Sequence, residues 1–229
     1  MRHIVWDWNG TLFDDLEIVV ASVNVSLRSI GAPPIDVETY RAVYQRPLNR
    51  FYQNLLGRPI SPEEMRSIDD DFHAAYHALL DQARLTVDAR RAVVLVAERG
   101  HTQSVLSMWW HDRLVPAVRF FGLEDFMLAV DGHRGGPGES KERHLAGHVG
   151  QLTRLFGVLP EAMVVVGDVT DDADAARGAG VGCVLYDGGS QPKAVLAARG
   201  VPVAATLVEA VELAAGLRSG SGPSLGPLA

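Results

Sequence analysis

Short apolar runs separated by amphipathic stretches recur along most of the chain, and only one region departs from that rhythm. Ile4-Val5-Trp6 leads directly into Asp7 and then Asn9-Gly10-Thr11, the signature of a buried strand ending in a sharp turn. From Leu16 to Ile30, Val20, Val23, Leu27 and Ile30 share a helical face, and Gly31 with Pro33-Pro34 stops the helix. A mainly helical segment follows through Tyr40, Tyr44, Phe51, Tyr52 and Leu55, punctuated by Pro47 and Gly57-Arg58-Pro59. Ser61-Pro62-Glu63-Glu64 is a capping box with proline at the first helical position. It opens a helix on which Met65, Ile68, Phe72, Tyr76 and Leu79 repeat at helical spacing. No strand pattern stands out between residues 14 and 85, so that stretch reads as an all-helical insert.

Beyond it, strands and helices alternate. A helix over Asp88–Arg99 is closed by Gly100, and Gln103–Ser107 reads as a short strand. A helix over about His111–Phe121, a strand over Phe126–Val130 and a polar, Gly-rich loop over Gly132–Gly138 come next. Lys141–Phe156 is a helix, and Met163-Val-Val-Val-Gly167 is the most apolar strand. Asp172–Ala179 is a helix stopped by Gly180, and Gly182–Tyr186 is another strand. A last pair lies near Val203 and at Leu207–Ala215. Such alternation predicts an α/β fold, a Rossmann-like parallel sheet covered by helices on both faces. The expected core is residues 1–14 and 86–215, interrupted by the helical subdomain at 15–85. Residues 216–229, rich in Gly, Ser and Pro, have little to bury and are expected to be a disordered tail.

Composition narrows the class. The 229 residues are 47% hydrophobic and 21% charged, as in ordinary globular proteins. A formal charge of −7 without a Lys/Arg cluster argues against nucleic acid as a partner. A lone cysteine, Cys183, excludes an intrachain disulfide framework, suits a reducing compartment, and should be inert in its buried strand. The short apolar run at the N-terminus carries Asp7, unlike a signal peptide, and no stretch is long enough for a membrane span. These features are expected of a cytoplasmic monomer or homodimer, with no membrane partner.

The chemistry gathers at strand ends. Asp7 ends the first strand, Ser107 ends a second, Lys141 opens the helix after the Gly-rich loop, and Asp168 and Asp172 follow the valine-rich strand. In a parallel sheet these ends share one edge and can converge. The set suits a phosphate monoester: a carboxylate nucleophile, a hydroxyl, an ammonium, and further carboxylates that want a hard cation such as Mg²⁺.

These residues resemble, in order and spacing, the haloacid dehalogenase superfamily of hydrolases, in the branch with a helical cap after the first motif and similar to phosphoglycolate phosphatase. Asp7-Trp8-Asn9-Gly10-Thr11 is similar to the family's Asp-x-Asp-Gly-Thr, and Val105-Leu106-Ser107 to its second motif. Lys141 in Glu139-Ser140-Lys141 matches its lysine, and Gly167-Asp168-Val169-Thr170-Asp171-Asp172 its Gly-Asp-x-x-x-Asp. The resemblance implies that Asp7 attacks phosphorus to form an aspartyl-phosphate while Ser107 and Lys141 hold the transferring group. Gly10 and Thr11 would join these two in binding substrate. Mg²⁺ would be held by Asp7, the backbone carbonyl of Asn9 and Asp168, with Asp172 standing behind them or reaching the ion through water. Asn9 is a departure: the family's aspartate there handles the proton of the leaving alcohol, and an amide cannot.

The implied activity is a Mg²⁺-dependent phosphatase for a small phosphorylated metabolite. The alternative is a weakly catalytic binding or regulatory module for such metabolites. A sugar-phosphate mutase needs the missing proton carrier, and a metal-free 2-haloacid dehalogenase would not need Asp168 and Asp172. Trp109 and Trp110 could wall the site or pack in the core. Arg46 and Arg50 could reach an anion but are expected on a solvated face. The same is expected of His144 and His148, four apart on a helix but without a nearby acidic third ligand to make a metal site.

Overall fold

The computed structural model describes residues 1–135 and 140–217. The chain begins with β1 (His3–Trp6) and the two-residue β2 (Phe13–Asp14). It then runs through four helices, α1 (Leu16–Ser29), α2 (Val37–Val43), α3 (Leu48–Leu56) and α4 (Pro62–Leu79). β3 (Arg84–Leu85) returns antiparallel to β2. After it come α5 (Ala89–Glu98), β4 (Thr102–Trp110), α6 (His111–Phe120), β5 (Val130–His133) and α7 (Lys141–Phe156). β6 (Met163–Gly167), α8 (Thr170–Ala179), β7 (Gly182–Tyr186), α9 (Lys193–Ala197), β8 (Val203–Ala204) and α10 (Leu207–Gly216) complete the fold. β1 and β4–β8 make a six-stranded sheet in the order β5-β4-β1-β6-β7-β8, parallel at every pairing.

The period of two along β1 sorts its side chains between two apolar layers. Ile4 and Trp6 face Val93 and Val96 of α5 and Val211 of α10, whereas Val5 faces Leu145 and Leu152 of α7 and Ala176 of α8. The valines of β6 are buried on both faces, as a central parallel strand requires. Each such side chain contributes roughly 1.5–3 kcal/mol by leaving water. The helices from Leu16 to Leu79 have a third apolar cluster of their own, with Val23, Leu27, Phe51 and Ile68 at its centre. Ser61 caps α4 by accepting a hydrogen bond from the Glu64 amide at 3.1 Å.

Several expectations are corrected. The strand expected at Phe126–Val130 begins at Val130 and runs to His133; Glu124–Phe126 is a 3₁₀ turn. Phe126 and Met127 pack sideways on the core instead of joining the ladder. Gly132 and His133, read as loop, pair with Ser107 and Trp110 of β4. Gly136–Gly138 lie outside the described residues, as do residues 218–229 of the expected tail; Gly216 still belongs to α10. β4 continues past Ser107 to Trp110, with a register shift between them. The helix expected from Asp172 starts at Thr170, because Asp172 turns back to accept from the Val169 amide at 3.1 Å. Arg84–Leu85 is a strand inside the stretch read as wholly helical.

The solvated pair His144 and His148 is also corrected, since both are buried. Their acidic partner is Asp131 of β5, which no local pattern brings near. His148 Nδ1 lies 3.4 Å from Asp131 Oδ2 and His144 Nε2 lies 3.6 Å from it, while Arg134 pairs with Oδ1. His148 Nε2 is hydrogen-bonded with Ser104 Oγ at 2.9 Å, Ser104 with His3 Nε2 at 2.9 Å, and His3 Nδ1 with Thr102 Oγ1 at 2.8 Å. This polar chain crosses the sheet from α7 to β1. Burial and then His148 lower the His3 pKa to about 4, so His3 is neutral. Burial works to raise the Asp131 pKa, but His144, His148 and Arg134 together hold it well below the usual carboxylate range.

Candidate active site

Because β1 lies between β4 and β6, the ends of these three strands share one edge, and Asp7, Ser107 and Asp168 meet there. Lys141 enters from the first turn of α7, whose Ser140 cap accepts from the Arg143 amide at 3.3 Å. Its ammonium lies 2.9 Å from Asp7 Oδ1 and 2.5 Å from Asp172 Oδ1. Asp7, Asp168 and Asp172 are all buried and present oxygens within 4.8 Å of one another.

Each acid is held by local backbone. Thr11 Oγ1 donates to Asp168 Oδ1 at 3.2 Å, and the Ser190 amide donates to Asp168 Oδ2 at 2.6 Å. Gly10 sits at φ 72°, where a Cβ would also stand 2.3 Å from Asp168 Oδ2; a Cβ on Gly189 would stand equally close. A Cβ on Gly167 would fall 2.1 Å from the Asp172 carboxyl carbon. The Gly10 and Thr11 amides are spent inside the turn, donating to Phe13 O at 2.9 Å and Trp8 O at 3.1 Å respectively. Thr11 is fully buried against Asp168.

The charge balance explains what such a site can do. Burial pushes the Asp7 pKa well up; the Lys141 ammonium opposes this, while Asp172 and Asp168 reinforce it. Asp168 is raised by burial and then by Asp172, with the Ser190 amide opposing. Burial would lower the Lys141 pKa, but Asp172 and Asp7 outweigh it and hold the ammonium charged. Three buried carboxylates thus face one ammonium, and a hard divalent cation with oxygen ligands would relieve the excess negative charge. Asp7, Asp168 and Asp172 therefore fit Mg²⁺.

Asn9 is locked in place. Its amide nitrogen donates to Asp15 Oδ2 at 2.8 Å and to the Tyr76 hydroxyl at 2.9 Å, and Tyr76 donates to the same Asp15 oxygen at 2.6 Å. The Gly10 amide donates to Asp15 Oδ1 at 3.0 Å. Burial raises the Asp15 pKa, with Tyr76, Asn9 and Gly10 opposing. Ser107 Oγ lies 3.5 Å from Asn9 Oδ1 and accepts from the Trp109 amide at 3.0 Å. Asp15 and Tyr76 have no place in the strand-end pattern. The sequence signal for Asp15 was a second acid after Asp14, and Tyr76 read as a helix-face position.

Between this edge and the helical segment lies a cavity of about 670 Å³, lined by Asp7, Asn9, Ser107, Lys141 and Asp168 at its floor. Trp109 and Trp110 are in its wall, and Arg46 reaches it, 3.7 Å from Asp171. Arg50 is exposed and does not line the cavity. Cys183 is buried below the site, its thiol pushed up by burial and then by Asp172.

A family model described as haloacid dehalogenase-like hydrolase matches residues 4–186, and the chain belongs to that family of hydrolases. The phosphoglycolate phosphatase of Synechococcus elongatus is 27% identical over 198 residues, 86% of this chain and 89% of that protein. The tyrosine-protein kinase PtkA of Mycobacterium tuberculosis is also 27% identical, over 81% of this chain and 62% of its own length. Among solved structures, a haloacid dehalogenase-like hydrolase from Streptococcus pneumoniae superposes with a TM-score of 0.76 at 17% identity, covering 93% of this chain and 97% of that one. A phosphatase from Clostridium acetobutylicum, its activity assigned by prediction, gives 0.78 at 16% identity over 94% and 99%. The Rossmann-like sheet with its helical elements is thus the fold of this family. No helix among the described residues is long and apolar enough to cross a membrane.

Proposed function

We propose that this chain is a Mg²⁺-dependent phosphatase that hydrolyses a small phosphorylated metabolite through an aspartyl-phosphate on Asp7. The observation that carries the reading is the meeting of Asp7, Lys141 and Asp168 at the floor of the cavity, with Asp172 buried behind them against Lys141. Asp7 attacks phosphorus as the bond to the alcohol oxygen breaks, and water then cleaves the acyl phosphate to return the carboxylate and release phosphate. Lys141 neutralises phosphoryl oxygens, and Ser107 Oγ donates to one of them. Asp7, Asp168, Asp172 and the Asn9 carbonyl would hold Mg²⁺, which supplies charge stabilisation to the transferring group. Gly10 and Thr11 serve by shaping the turn around Asp168. Asn9 orients rather than carries a proton, so departing alcohols take theirs from solvent. Residues 15–85 act as a cap over the core formed by 1–14 and 86–215, closing to exclude water and large partners.

The second reading, a binding or regulatory module with vestigial turnover, draws on the fixed Asn9 amide. Turnover of p-nitrophenyl phosphate separates the two. The enzyme reading expects activity with Mg²⁺, loss with EDTA, and a loss of roughly 10⁴-fold or more in Asp7→Asn, as when a nucleophile is removed. Turnover that survives both chelation and Asp7→Asn would refute it.

A further inference from the structure

The wall of the cavity is as particular as its floor. Eight of the chain's sixteen Phe, Tyr and Trp residues line this one space, including four of the five tyrosines. Eight of the 27 lining residues are thus aromatic, whereas the chain as a whole is only 7% aromatic. The rings come from three helices of the insert and from β4. Tyr44 and Phe51 meet at 6.0 Å between ring centres, Phe72 stacks on Tyr76 at 5.7 Å and 16°, and Trp109 joins the lining from β4. The cavity is of the size that takes a small organic ligand.

Its charges point the same way. Among the described lining residues the only Lys and Arg are Lys141 and Arg46, against five aspartates. Lys141 is engaged by Asp7 and Asp172, and Arg46 lies beside Asp171. Among the described lining residues neither Lys141 nor Arg46 is left over for a second anionic group, and only the imidazoles of His73 and His77 remain to meet a carboxylate on the alcohol, so such an ester is the poorer match. Flat, uncharged rings are well matched, through stacking and apolar burial against the part-exposed Tyr44, Phe72, Trp109 and Trp110, the other four rings being buried behind them.

The floor adds an independent constraint. Asn9 cannot protonate the departing oxygen, and its amide is already committed to Asp15 and Tyr76. A phenol, which ionises near pH 10 as tyrosine does, departs as its anion far more readily than an alkoxide.

We infer that the substrate is a small aryl phosphate monoester, a phosphate carried on the phenolic oxygen of a flat, uncharged ring. This rests on the phosphatase reading above. The bond from Asp7 to phosphorus forms as the phosphorus–aryloxy bond breaks. The phenolate leaves with the electron pair and takes its proton from water, and a second water restores Asp7.

Four substrates with Mg²⁺ separate ring recognition from leaving-group ability: phenyl phosphate, benzyl phosphate, acetyl phosphate and ethyl phosphate. The expected result is a KM for the two ring-bearing esters about 10-fold below that of the ringless pair, which a buried ring readily supplies. The highest kcat/KM should belong to phenyl phosphate. Phenylphosphonate should inhibit acetyl phosphate turnover about 10-fold more tightly than methylphosphonate, a measurement that needs no variant. Phe72→Leu, which keeps apolar volume but removes a ring, should narrow the phenyl-to-ethyl ratio of kcat/KM. Equal KM values for ring-bearing and ringless esters, with equal inhibition by the two phosphonates, would overturn the aryl assignment and leave the phosphatase standing. No turnover of any of the four would remove the phosphatase reading and this inference with it.

Discussion

Two polar clusters are buried in this one apolar sheet, and they are opposites. The chain of Asp131, His148, Ser104 and His3 is closed on itself, each member meeting the next within 2.9–3.4 Å. The cluster of Asp7, Asp168 and Asp172 leaves three carboxylates to one ammonium and opens into a cavity. Satisfied polar groups in a core hold structure together, whereas a residual charge facing a cavity is a site awaiting a ligand. A Ser-His-Asp order alone, as in Ser104, His148 and Asp131, therefore means little. Ser104 and His148 have no exposed surface, so no substrate can reach them.

The contrast can be broken most sharply at Asn9. Asn9→Asp should raise turnover of alkyl phosphates within the roughly 10²–10⁴-fold range of general acid–base help. The new carboxyl would stand beside Asp15, where the amide now donates at 2.8 Å, so the two acids would share a proton. Steady-state rates on ethyl phosphate test this; an unchanged rate would mean another group already moves the proton.

A change in the closed chain should act on stability alone. His148→Ala strips Asp131 and Ser104 of a partner and should cost roughly 3 kcal/mol in urea unfolding. Turnover at a permissive temperature should change by less than about twofold, the sites being separate. A large loss of turnover with unchanged stability would erase the distinction between the clusters.

Mg²⁺ should stabilise the open cluster in a pH-dependent way. Asp7 and Asp168 hold their protons more tightly when folded than when unfolded, so their ionisation as pH rises destabilises the cation-free protein. A cation favours the ionised form. Its stabilisation is therefore greatest above their raised pKa values and fades as pH falls toward the ordinary carboxylate range. At about 100 times Kd the gain is about 2.7 kcal/mol, roughly 5–10 °C in Tm for a chain of this size. A thermal shift as large at pH 5 as at pH 8.5 would contradict the assignment of these acids to the cation.

A further pH-dependent effect is expected at His3. Its pKa falls from 6.5 to about 4 on folding, so the unfolded chain binds more protons between these values. Stability from this group is intact above about pH 6.5 and drains away as pH falls toward 4, by at most about 3 kcal/mol. His3→Gln should flatten that part of the urea-stability profile; an unaltered slope would place the proton uptake elsewhere.

Local signals in the sequence carried most of the fold. Met163–Gly167, Gly182–Tyr186 and Lys141–Phe156 match their observed bounds, because an uninterrupted apolar run, a serine cap and a terminal glycine each declare an edge. β5 was expected several residues too early because Asp131-Gly132-His133 has no apolar pattern; its polar side chains are paid for by partners on α7 and in the loop beyond. Strand ends exposed Asp7, Ser107, Lys141, Asp168 and Asp172, since topology alone gathers them. Asp15 with Tyr76, 61 positions apart, and Asp131 with His148 depend on tertiary packing, which spacing along a chain does not encode.

Gly10, Gly167 and Gly189 carry a lesson for anyone transplanting this site. Each leaves a hollow that an aspartate occupies, Asp168 over Gly10 and Gly189, Asp172 over Gly167. Grafting the acids and the lysine onto another scaffold without those hollows would push the carboxylates aside by the width of a methyl group. The blueprint of the site thus includes three places where atoms must be missing.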